Sequence, residues 1–256
     1  MLPALTLALG FCLPAILIAG SVLLWARSRW LQGLALVAAI ACVQWAHFRE
    51  LAPFTAGLHS SRDGLWLICV LGVALGGLAR LRFALGLLGP AMVLVLAWRL
   101  DREAWPLWQR ALASLVLGLG VIAAARPAAQ ARSAPALALL LGAAAGAFVL
   151  AHSATLGLYA GGLALGVGLV ALAHWRWPER ELVEPMRAGL ASALGALLLC
   201  AWLYADLPLA SALCLAAGLL TAGLPGLYAR TLLVAALCAG AVVPLLLPSA
   251  SDNPYR

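Results

Sequence analysis

The stretch ATLGLYAGGLALGVGLVALA (154–173) carries no Asp, Glu, Lys or Arg from end to end. Coiled as an α-helix at 1.5 Å per residue it is about 30 Å long, the thickness of a bilayer's hydrocarbon core. Nine comparable apolar runs accompany it: Leu2–Trp25, Trp30–Ala46, Gly64–Ala79, Phe83–Trp98, Pro106–Ala125, Pro135–Ala151, Met186–Tyr204, Leu207–Gly223 and Thr231–Leu247. They are continuously apolar, without the in–out alternation of barrel strands, so helices are expected. The reading is an all-α, polytopic membrane helix bundle of about ten transmembrane helices with short loops. Two runs are slightly short, which leaves eight spans with two re-entrant or interfacial pieces as the alternative.

Composition points the same way. Of 256 residues, 65% are hydrophobic and 10% charged, and the mean hydropathy is +1.05. Soluble domains are about 45–50% apolar and about 25% charged. The whole chain, 1–256, therefore reads as one transmembrane domain. All sixteen basic residues are arginine. They stand singly or in pairs at run ends, which suits bilayer interfaces and not nucleic acid. The six cysteines lie inside apolar runs without C-x-x-C spacing, as small hydrophobes and not as a disulfide or zinc framework. The expected setting is the inner (cytoplasmic) membrane of a bacterium, with the lipid bilayer as surroundings and membrane proteins or further copies of the chain as partners.

The punctuation between runs fits that setting. Nine of the ten tryptophans, among them Trp30, Trp105, Trp108, Trp175, Trp177 and Trp202, fall near run ends, where an aromatic belt belongs. With ten spans, ten arginines lie in one set of loops and six on the opposite side with the C-terminus. The richer side is expected in the cytoplasm, with both termini outside. Gly72/Gly76, Gly142/Gly146 and Gly162/Gly166 are spaced to let helices approach closely. A faint parallel repeat, 30–125 against 135–230, pairs Arg82 with Arg187, Trp98 with Trp202 and Asp101 with Asp206. Interface punctuation at bilayer spacing would produce the same pairing without any repeat.

No acidic or basic residue falls in the middle of a run, whereas pumps usually carry one there. The candidate polar groups gather at run ends. One side collects His47, Glu50, His59, Asp63, Asp101, Glu103, His152 and Asp206, a rim able to bind a metal or serve as acid and base, or simply to be solvated. No H-x-x-x-H, G-x-S-x-G or phosphate-binding glycine loop accompanies it, so no catalytic residue, metal or cofactor is assigned. The other side carries HWRWPERELVEPMR (174–187). Arg176, Glu179, Arg180 and Glu184 make that segment a docking candidate, and its WPERELVEP core suits a short interfacial helix lying on the membrane.

Residues 71–76 (LGVALG) and 89–124 resemble the drug/metabolite transporter (EamA-like) superfamily. In the second segment Pro90, Glu103, Gln109 and Gly120-Val121 fall close to that family's Pro…Glu…Gln…Gly-Val pattern. The resemblance implies ten helices in inverted five-helix repeats, cytoplasmic termini and a secondary carrier for a small metabolite. The arginine count and the parallel repeat imply a different arrangement.

These readings lead to a carrier or permease for a small uncharged or amphipathic solute, without a deep proton-shuttling site. The alternative is a non-catalytic subunit that anchors or assembles a larger membrane complex. A membrane-surface enzyme working through the His/Asp/Glu rim comes third.

Overall fold

The structure is a computed structural model, and it describes residues 12–24, 28–48, 61–96, 105–125, 133–177, 181–222 and 227–246. Among these every regular element is helical. We number the α-helices α1 (Leu13–Leu24), α2 (Arg29–Phe48), α3 (Ser61–Gly77), α4 (Leu88–Leu96), α5 (Leu107–Ala125), α6 (Ser133–Leu150), α7 (Ala154–Arg176), α8 (Glu184–Tyr204), α9 (Leu209–Thr221) and α10 (Leu227–Leu246). Each of the ten apolar runs carries one of them. Among the described residues three helices, α5, α7 and α8, are long and apolar enough to cross a membrane.

The fourth run departs from a plain α-helix. A 3₁₀ helix, Ala79–Leu87, begins at the end of the third run, takes in the first residues of the fourth and passes directly into α4. Two features favour the change. Pro90 has no N–H to donate to the Gly86 carbonyl one α-turn back. The same stretch also presses on α5: a Cβ on Gly118 would stand 2.5 Å from the Gly86 carbonyl oxygen, and one on Gly89 would overlap the Ser114 carbonyl. The tighter, more extended 3₁₀ winding accommodates this approach.

Helix α8 is the hub. Every residue from Glu184 to Ala201 is buried, as expected of a helix apolar on all sides. It touches α2, α3, α4, α5, α6, α7 and α9. Around it α1 to α5 follow one another; α5 meets α9, α9 meets α6 and α10, α6 meets α7, and α7 returns to α1. Helix α4, the partner of α8 in the faint repeat, stands on the perimeter with Leu94 exposed.

Small residues let α8 sit so deep. A Cβ on Gly72 of α3 would overlap the Ser192 hydroxyl, and one on Gly76 would meet the Ala188 Cβ at 2.7 Å and the Glu184 carbonyl oxygen at 3.2 Å. Gly189 faces back, where a Cβ would meet Val73 at 2.6 Å and Leu36 at 2.7 Å. Of the other two spaced pairs, Gly166 receives Ile18 and Ala15 of α1, whereas Gly142 and Gly146 have no atom within 4 Å of where a Cβ would stand. Identical spacing thus closes one interface and leaves another face open.

Candidate functional site

The polar rim is described only in part. Glu50, His59, Asp101 and Glu103 lie outside the described residues, as do the side chains of His47 and Asp63, whose backbones belong to α2 and α3. His152 and Asp206 are described and exposed, and both adopt left-handed backbone, with φ 61° and φ 52°. This conformation has a local cause. After α6 the Ser153 N–H reaches back to the Phe148 carbonyl at 2.9 Å and the His152 N–H to the Val149 carbonyl at 3.1 Å. That is a Schellman stop with His152 in the position usually given to glycine. After α8 the Leu207 N–H reaches the Ala201 carbonyl at 3.2 Å, with Asp206 as the left-handed residue. Both side chains therefore follow from how their helices end. Among the described residues no three His, Cys, Asp or Glu side chains converge.

The segment at the opposite end behaves differently from the sequence expectation. Arg176 is exposed at the end of α7, next to Trp175 and Trp177, while Glu179 and Arg180 lie outside the described residues. Glu181–Val183 is not helical; α8 begins at Glu184, with Pro185 in its first turn and not at the end of a preceding helix. Glu184 is buried, which removes it from any docking surface, and Arg187 one turn later is wholly buried. Of the four docking candidates, Arg176 is the one described as exposed.

Gln32 holds the segment that leads into α8. Its side chain is fully buried on α2. The amide oxygen accepts the Val183 N–H at 3.1 Å, and the amide nitrogen donates to the Glu181 carbonyl at 3.5 Å. One side chain thus satisfies two backbone groups of the non-helical lead-in to α8.

A different concave feature lies at the far end of α8. Between α5, α8 and α9 there is a cavity of about 150 Å³. Trp108 and Leu112 of α5 and Leu213 of α9 are about half or more exposed at its opening. Leu198 and Trp202 of α8 form its floor, and Ala212 and Ala216, one turn apart on α9, hollow it out. The two walls converge deeper in: a Cβ on Gly120 would stand 2.9 Å from Leu219. The groove is therefore wedge-shaped, open toward the Trp108 end and closed near the middle of α5.

An aromatic pair lies beside its open end. Trp105 packs edge-on against Trp202 with ring centroids 5.7 Å apart. The Arg110 Nε–H donates to the Trp105 carbonyl at 2.8 Å, and its guanidinium sits 5.5 Å from the Trp105 ring centroid. The Tyr204 hydroxyl donates to the Leu96 carbonyl at 2.7 Å, tying the end of α8 to the end of α4. Gln109 is the one hydrogen-bonding side chain in the lining apart from the indoles. Sequence reasoning missed this site because its walls come from three distant segments; the clustering of Trp105, Trp108 and Trp202 was the available signal. In comparisons with known proteins no family model matches the chain, and no curated protein or solved structure matches it.

Proposed function

We propose that this chain is a multi-pass protein of a bacterial cytoplasmic membrane that carries a small amphipathic molecule, which it takes up sideways from the bilayer. The groove between α5, α8 and α9 carries the reading. It is apolar in depth, polar at its open end, and opens on the outside of the bundle. The centre is occupied by α8, so a route along the perimeter suits this architecture better than a water-filled axis. The resemblance of 71–76 and 89–124 to drug/metabolite carriers supports the same class. The test is exchange of a fluorescent amphiphile across proteoliposome membranes. Exchange well above that of protein-free vesicles is expected; equal rates would defeat the reading.

A second reading, an assembly subunit or homo-oligomer, is favoured by Gly142 and Gly146. Both are exposed on α6 beside Leu139 and Val149, and small-xxx-small faces of this kind accept a partner helix. Co-purification of a stoichiometric membrane protein in mild detergent, lost in Gly142→Leu, would favour it.

A further inference from the structure

We infer that the groove between α5, α8 and α9 takes a molecule built on one benzene-sized ring with a neutral hydrogen-bonding substituent, the ring against Trp202 and the substituent at Gln109. The inference rests on the groove being the working site and names the class of molecule that fits it.

Volume is the first argument. The groove encloses about 150 Å³, and an apolar protein cavity of about 150 Å³ binds benzene. It does not continue past Ala216: one turn deeper, a Cβ on Gly120 would stand 2.9 Å from Leu219. An extended chain or a fused polycycle has no space below the ring.

The lining is the second. Trp202 on the floor is set by its edge-on contact with Trp105, ring centroids 5.7 Å apart, and Trp105 is itself buried. The aromatic floor is therefore in place before a ligand arrives. Ala212 and Ala216 of α9 also line the groove, and a larger side chain at either would occupy the ring's place. Surrounding lipid is as apolar as these walls, so burial alone gives no preference over the bilayer. Selection comes from the short slot and from ring-to-indole contact, which adds to area burial.

Polarity is the third. Among the described residues no charged side chain lines the groove, so an ionic group would lose hydration without gaining a partner. Gln109, beside Trp108 at the open end, offers a carbonyl oxygen and an amide donor. A hydroxyl, which both donates and accepts, is their complement.

The test uses the full chain labelled with 5-fluorotryptophan in phospholipid nanodiscs, titrated with benzyl alcohol and followed by fluorine NMR. Trp108→Phe and Trp202→Phe assign the two groove resonances. These should shift saturably, whereas Trp175, exposed and outside the lining, should not. At equal membrane concentration 1-decanol, the same hydroxyl on an extended chain, should bind about tenfold more weakly. Gln109→Leu should weaken benzyl alcohol about fivefold, as loss of one hydrogen bond does, and leave toluene unchanged. Ala212→Leu should abolish binding of both. Shifts that never saturate, shifts shared by every tryptophan, or decanol binding as well as benzyl alcohol would overturn the inference. Undiminished binding by a folded Ala212→Leu protein would overturn it too; if that variant does not fold, the comparison of benzyl alcohol with decanol on the parent chain decides. Ring binding in a protein with no exchange activity would defeat the carrier reading alone. Exchange without ring binding would defeat this inference alone.

Discussion

The side-chain amide of Gln32 and the backbone N–H of Val183, 151 positions apart in the chain, meet at 3.1 Å. This contact joins α2 to the residue just before the hub helix. A buried glutamine that pairs with backbone on both its oxygen and its nitrogen acts as a splint for a segment with no sheet neighbour.

Gln32→Leu keeps the bulk of the side chain but leaves the Val183 N–H and the Glu181 carbonyl without it. A loss of about 1–3 kcal/mol in unfolding free energy is expected, the usual cost of orphaned buried polar groups. Reversible denaturation in detergent measures it. An unchanged midpoint would mean that the splint is dispensable.

The glycine pairs give a matched comparison. Gly72→Leu forces a side chain into Ser192 and the Ala188 backbone and should cost about 1–3 kcal/mol or abolish folding, as overpacking does. Gly142→Leu meets open space and should be nearly neutral for the isolated chain in detergent. Thermal stability of the two variants, measured side by side, separates the closed interface from the open one.

That contrast also marks what was legible. The apolar runs located the helices because run length and loop punctuation are local properties. The helix that would become the hub was not legible, since LASALGALLLCA (190–201) differs little in composition from ALALLLGAAAGA (136–147). A helix apolar on every side has no preferred face, so periodicity cannot orient it. Arg187 read as an interface arginine because it opens a run; its burial comes with the packing of α8 inside helices that are distant from it in sequence. The groove was hidden for a similar reason, being the gap left where α5 and α9 splay apart above Gly120.

His152 and Asp206 were expected to belong to a chemical rim, and their left-handed backbone supplies a different test. Glycine tolerates φ near +60° without the penalty of about 1–2 kcal/mol that other residues bear. His152→Gly and Asp206→Gly should therefore fold as stably as the parent or slightly more so, whereas Asp206→Val should lose about 1 kcal/mol or more. Amphiphile exchange by Asp206→Asn should be unchanged at every pH assayed. Loss of exchange in that variant would return Asp206 to a working role.

The proposed ten-span topology is checked by single cysteines on a cysteine-free background. Impermeant maleimide applied from outside should label Ser60 and Ser251, and label Ser28 and Ser133 only after permeabilisation. Outside labelling at Ser28 would reverse the orientation. Labelling of Ala104 and Ser133 from the same side would remove the span between them.

The most direct measurement is the rate of amphiphile exchange in proteoliposomes for the parent, Ala212→Trp and Leu139→Trp, each first shown to be folded. Ala212 lines the groove, whereas Leu139 of α6 is exposed and does not line it. The parent and Leu139→Trp should exchange at equal rates, and Ala212→Trp should be slower by about tenfold or more, a barrier increase of about 1.4 kcal/mol. Exchange by folded Ala212→Trp at the parental rate would contradict the assignment of the α5–α8–α9 groove as the route.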